Sequence, residues 1–394
     1  MLLKGILMIL ARHQRMTVHA PSASRDRWRD FDLMMFVTMM VLIGFGVVAI
    51  WSAVGLPPLA SDNSGTRQAA FSIIGLALMV IAASIDYRYL ESAAWILYAA
   101  GIGILLVVLS PLGYAVDNTG AQNWLNLGFT TIQPSEFTKI TTIIALAAFI
   151  SSRGEEMRYF SNFVIAGLIV ALPTGLILLG PDLGQAMVYI VLWASSLFVM
   201  RTHKRYLVGI VVALPALILF AWRFVLQDYQ RDRILLSYNP QDAPTTGGYQ
   251  IIQARISIGA GGLFGAGLKG GTQSTLNLLG VRESDFIFAH ASGMFGFVGM
   301  IALFVCIVIF IWRCLKVAEI ARDTFGQTIA VCTAGVFFFQ AFLNIGMNVG
   351  IMPVAGITLP FVSAGVSSLW TFMILVGIMQ SIRMHHRKLV FERR

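Results

Sequence analysis

Charge is what this sequence has least of. Only 12% of its 394 residues are Asp, Glu, Lys or Arg, while 57% are hydrophobic, outside the range of soluble globular domains. Cysteine is almost as scarce. Cys306, Cys314 and Cys332 fall in or beside two late apolar runs, so no exported disulfide framework is implied. No CxxC or His/Cys ligand cluster suggests zinc, and neither the P-loop spacing nor GxGxxG occurs. There is no repeat of fixed period. The N-terminal "MLLKGILMILARHQR" has too short an apolar stretch, and no small-residue cleavage site, for a signal peptide.

What is present is apolar length. Mean hydropathy is +0.77, and apolar runs of about 20 residues recur, which marks a polytopic membrane protein. Spans read at 33–54, 69–86, 92–112, 136–152, 160–180, 184–200, 206–226, 286–312, 326–351 and 366–382. Runs of this length without alternation mean helices, because lipid leaves backbone groups no outside partner. The expected class is therefore all-α, with about ten transmembrane helices and one long extracytoplasmic loop. A basic cytoplasmic tail over 1–30 precedes the membrane domain (31–384), and a short cytoplasmic tail, 385–394, follows it. With both termini cytoplasmic, twenty of the 28 Lys and Arg residues fall inside, the positive-inside bias. The +9 net charge is thus an orientation signal and does not call for nucleic acid.

Two loops break the pattern of short connections, about 113–135 and 227–285, both outside in this topology. Long loops in a compact membrane protein are where function gathers. Within the second, "GYQIIQARISIGAGG" reads as a short amphipathic helix with Ile252 and Ile256 on one face and Gln250 and Gln253 beside them, able to lie flat at the lipid interface. Seven glycines follow in 259–271, a connector more readily than a phosphate cradle. A third outside turn, "GIMPVAGITLPFVSAGVSS", holds Pro353 and Pro360 and cannot be regular helix.

The scarce ionisable groups cluster near this outer side: Glu136 and Lys139 in "QPSEFTK", Asp182 in "PDLGQ", and Asp285 in "GVRESDFIFA". Such groups in a span face a cavity or a partner. Glu136 and Lys139 share a helix face and can pair; they form either a self-neutralising pair or a wall of a polar cavity. Ser284 and Asp285 suit a helix cap, although capping leaves Arg282 and Glu283 unexplained. His290, on another face, reads as a packing histidine. Trp124 and Tyr249 can stack on sugars or anchor at the interface.

Taken in order, "GAQNWL", "IQPSEFTK", "GPDLGQA", "GGYQIIQARISIGAGGLFGAGLKGGTQ", "SDFIFA" and "NIGMNVGIMPVAGITLPFVSAGVSSL" resemble the SEDS family (shape, elongation, division and sporulation), most of all its RodA branch, over about 35–380. The resemblance implies a ten-helix peptidoglycan polymerase that uses lipid II at the outer face of the bacterial cytoplasmic membrane, beside a class B penicillin-binding protein. It implies Asp285 as the catalytic carboxylate. It further implies substrate contacts from Trp124, Gln133, Glu136, Lys139, Gln250, Gln253, Lys269 and Gln273, with a divalent Mg or Mn ion as a candidate cofactor. Lys139, Lys269 and Arg255 are the cations expected to offset pyrophosphate charge. The sequence departs from the family pattern at Asn123, Ala266, Gly280–Val281, Gly293, Met294, Ala364 and Val366, which leaves its substrate and level of activity open. Two other readings are a flippase for a polyprenyl-linked precursor and a weakly active scaffold for a partner synthase.

Overall fold

The computed structural model describes residues 27–55, 63–114, 123–128, 130–243, 248–268 and 271–386. Most of the two expected terminal tails, and Lys269, therefore lie outside the described residues.

Helices dominate: α1 (Leu33–Val54), α2 (Ser64–Ser84), α3 (Arg88–Val108), α4 (Pro134–Arg153), α5 (Phe160–Leu179), α6 (Leu183–Ser196), α7 (Lys204–Phe220), α8 (Asp228–Tyr238), α9 (Tyr249–Ala260), α10 (Ile287–Ile320), α11 (Thr324–Val349) and α12 (Val366–Met384). A two-stranded hairpin, β1 (Leu125–Asn126) and β2 (Thr131–Ile132), precedes α4. Among the described residues eight helices are long and apolar enough to cross a membrane. The other two expected spans correspond to α4, whose first turns carry Glu136 and Lys139, and α6, with only 14 residues. Both pack among the long helices.

Local sequence sets the ends. Asp32, Asn63, Asp182 and Asp323 accept main-chain N–H groups at the starts of α1, α2, α6 and α11, and Pro134 takes the first position of α4. Successive spans alternate in direction. One end of the bundle, the site end below, gathers the hairpin, the 181–182 turn, α8, α9 and segments 280–286 and 353–365. The opposite end carries Arg88, Arg153, Arg313 and Arg383. There Asp32, buried, pairs with Arg313 and Arg383, both at 2.7 Å, and Gln380 bonds the Asp32 backbone, tying α1 to α10 and α12. The bundle centre lies around α11 and α12, where Phe310, Phe337, Phe361 and Phe372 pack together. Helix α7, by contrast, buries no residue.

Helix α9 packs Ile251, Ala254 and Ser257 on α10 and leaves Ile256 exposed on its other face. Its polar Ser257 is accommodated because its Oγ donates to Ala289 O at 2.9 Å. In addition, α10 is broken at Gly296 (φ 61°, ψ −166°), a backbone state nearly confined to glycine. The glycine-rich loop fills the break. Ala266 N and Gly267 N donate to Gly293 O and Met294 O, and Phe297 N and Val298 N donate to Gly262 O and Leu263 O. A Cβ on Gly296 would sit 2.3 Å from Gly265 N. The loop is a splice across the kink, and its 266–267 amides are already committed there.

Candidate functional site

A cavity of about 340 Å³ opens at the site end, lined by residues flanking the hairpin, from the 181–182 turn and the start of α6, from α8 and from segments 281–285 and 353–365. Asp182 and Asp285 are both on its wall, with Trp124, Gln133, Gln185, Tyr229, Gln230 and Arg233.

Asp285 is placed by its main chain. Segment 280–286 turns through Val281 at φ 46°, and each neighbour is pinned. Gly280 N donates to Gln250 Oε1 at 2.7 Å; Ala364 N donates to Glu283 O at 2.8 Å; Ser363 Oγ donates to Ser284 O at 2.7 Å. Two asparagines of α11, one turn apart, then converge on Asp285 O: Asn344 Nδ2 at 3.2 Å and Asn348 Nδ2 at 2.9 Å. The Arg282 guanidinium donates to Ser274 O. The charges of "GVRESD" thus divide between scaffold and site. Phe286, not Ser284 or Asp285, holds the cap position of α10, with no side-chain cap bond. The Asp285 carboxylate is half-buried on the cavity wall, with Ser284 Oγ donating to Oδ1 at 3.2 Å.

Across the cavity, Asp182 caps α6 through Gln185 N (3.0 Å) and accepts Gln133 Nε2 (2.9 Å). Behind it, Gln185 Nε2 donates to Glu136 Oε1 (2.6 Å), and Glu136 Oε2 pairs with Lys139 Nζ at 2.7 Å, both side chains essentially inaccessible. The pair is therefore a buried, self-neutralised foundation joined to the cavity through Gln185. Burial pushes the Asp182 carboxyl up to about 6; the nearby Glu136 charge adds to this, and the Gln185 amide, Lys139 and Gln133 oppose it. Close approach of α6 to the 353–357 segment depends on Gly184, where a Cβ would meet Ala355 O at 2.3 Å.

Of the residues singled out in the sequence, Trp124, Gln133 and Asp285 line the cavity together. Glu136 and Lys139 lie behind the wall. Gln250 holds the 280 turn, and neither Gln253 nor Gln273 is among the lining residues. Tyr249 is not either. His290 is buried against Ser274 Oγ at 2.6 Å, as a packing residue. Arg255 donates to Ser237 O and Gly350 O, away from the cavity. Sequence reasoning passed over Arg233 and the paired asparagines. The first sits with Tyr229, Gln230 and Ile234 at helical spacing on α8, a polar face that periodicity alone could have flagged. The departures Asn123 and Ala364 both face the cavity. Gly293 is a packing position, within 3.5 Å of the Gly271 backbone at its would-be Cβ. Among the described residues, no three His, Cys, Asp or Glu side chains gather as metal ligands.

Comparison with known proteins gives one answer. The FtsW/RodA/SpoVE family, described as cell cycle protein, matches residues 32–388. The chain is 37% identical over 358 residues to "Peptidoglycan glycosyltransferase MrdB" of Escherichia coli K12, covering 91% of this chain and 95% of that protein. It is 30% identical to "Peptidoglycan glycosyltransferase RodA" of Treponema pallidum, covering 90% and 97%. A chain from a solved structure described as "Structural coordination of polymerization and crosslinking by a peptidoglycan synthase complex" superposes with a TM-score of 0.78 at 26% identity, over 91% of this chain and 99% of its own. The crystal structure of the rod shape determining protein RodA from Thermus thermophilus shares the fold, with a TM-score of 0.68 at 24% identity over 91% and 98%.

Proposed function

The chain belongs to the FtsW/RodA/SpoVE family of cell cycle proteins, and we propose that it is a peptidoglycan glycosyltransferase that polymerises lipid II at the outer face of the bacterial cytoplasmic membrane. The observation that carries this is the Asp285 carboxylate on the wall of a cavity that also holds Trp124, Gln133 and Asp182. The site end lies opposite the end bearing Arg88, Arg153, Arg313 and Arg383, and the positive-inside rule supports reading it as the exterior end.

In the reaction, the 4-hydroxyl oxygen of an acceptor sugar attacks the anomeric carbon of a lipid-linked donor. The new C–O bond forms as the bond to pyrophosphate breaks, and the bonding pair leaves with the pyrophosphate oxygen. Asp285 accepts the hydroxyl proton as general base, and attack opposite the leaving group inverts the anomeric centre. Trp124 supplies a stacking face for a sugar. Asp182 and Gln133 offer hydrogen bonds to hydroxyl or amide groups. Asp182 and Asp285, both on the cavity wall, would be the residues to hold a divalent ion, which would supply positive charge for the leaving group. A class B penicillin-binding transpeptidase is the proposed partner, in line with the synthase complex that shares this fold.

The test is polymerisation of labelled lipid II by the purified protein with its cognate penicillin-binding partner, the transpeptidase blocked, comparing wild type with Asp285→Ala. Glycan ladders from wild type alone are expected. Equal ladders from both would remove Asp285 from the mechanism. Headgroup crossing in vesicles without polymer would favour a carrier instead.

A further inference from the structure

We infer that Arg233 is the cation that receives the pyrophosphate of the lipid-linked donor. This rests on the glycosyltransferase reading and deepens it. A pyrophosphate brought beside two carboxylates needs a positive group in the same cavity. Several described arginines and lysines near this end are bonded elsewhere. Lys139 pairs with buried Glu136. Arg231 binds Asp228 and the Trp222 carbonyl. Arg255 donates to two backbone carbonyls, and Arg282 donates to Ser274 O. Among the described residues, Arg233 is the one Lys or Arg that lines the cavity.

Its position is built. One turn earlier on α8, Tyr229 presents its ring to the Arg233 guanidinium, 5.7 Å from the ring centre. The Tyr229 hydroxyl donates to Pro181 O at 3.2 Å, next to Asp182. Tyr229 thus bolts α8 to the Asp182 turn and backs the guanidinium. An arginine fork matches paired phosphate oxygens and stays charged at all working pH. As the anomeric C–O bond breaks, its electron pair passes to the bridging oxygen, and the charge spreads onto phosphate oxygens that Arg233 bonds. The acceptor proton still goes to Asp285. Arg233 is not consumed.

Full-length protein with its partner, carrying Arg233→Ala, Arg233→Gln or Arg233→Lys, is assayed for lipid II polymerisation. Binding of undecaprenyl pyrophosphate and of undecaprenol is measured separately. The expected result is a loss of about a hundredfold in kcat/KM for Ala and Gln. Undecaprenyl pyrophosphate should bind at least about tenfold more weakly, undecaprenol unchanged, with Lys intermediate in both assays. Unchanged undecaprenol binding and Tm separate this from misfolding, and the Gln and Lys variants carry the test if Ala does not fold. Pyrophosphate binding equal to wild type in the Gln variant overturns the assignment. Wild type and Gln variant polymerising equally removes Arg233 alone; a wild type that makes no polymer removes the glycosyltransferase reading and this inference with it.

Discussion

At the scale of single residues, the site holds two carboxylates in different circumstances. Asp285 is fixed by its backbone and open to the cavity, so Asp285→Asn should keep the fold and lose proton acceptance. We expect polymerisation to fall about 10²- to 10⁴-fold with Tm unchanged, read by glycan ladders and thermal unfolding. Asp182 has its titration raised from the ordinary 3.8 to about 6. Between those values the folded state binds more protons than the unfolded chain, so this group's contribution to stability falls as pH rises from about 4 to 6 and is then constant. Asp182→Asn, neutral throughout, should therefore gain on wild type by on the order of 2 kcal/mol between pH 4 and pH 7, read as the pH dependence of the Tm difference. A flat difference would sink the assignment. The buried pair gives a third prediction. Lys139→Met strands the Glu136 charge and should cost about 3–5 kcal/mol, whereas the double variant with Glu136→Gln should recover much of it, as denaturation in detergent would report. The Glu136–Lys139 pairing was legible in the sequence because i,i+3 spacing fixes a face. Its depth was not, since Gln185 and Asp182, which cover it, come from another helix.

At the scale of elements, α10 shows what spacing hides. A run of apolar residues predicts one continuous helix, yet the chain breaks at Gly296 and the glycine-rich loop repairs it. Nothing local marks which glycine takes positive φ; the loop that demands it lies some thirty residues earlier. Gly296→Ala should cost about 3 kcal/mol from backbone strain, more with the clash against Gly265 N, and should lower Tm and polymerisation together. The packed face of α9 was hidden for a related reason. Both Ile252 and Ile251 fit a helical stripe, and only the partner, α10, selects Ile251. The 280–286 turn was legible as a charged anomaly but not as a scaffold, because Asn344, Asn348 and Ser363 reach it from far along the chain.

At the scale of the whole molecule, hydropathy located all ten helical positions, and its errors lie where polarity intrudes. Helix α4 carries the buried ion pair and α6 is short, so neither reads as a free-standing span; each depends on neighbours for satisfaction. Basic residues do structural work at the end opposite the cavity. Asp32→Ala should release the Arg313 and Arg383 charges and cost about 3 kcal/mol or more, lowering Tm while leaving the cavity composition untouched.

Arg383 Nε also donates to Asp30 O at 2.9 Å, so the first described turn of the chain and its last span meet. A bundle whose opening and closing segments grip each other is, in effect, a hoop with a clasp. The load of holding the helices together is thereby shared around the circumference, and the clasp lies at the rim opposite the one where Asp285 sits.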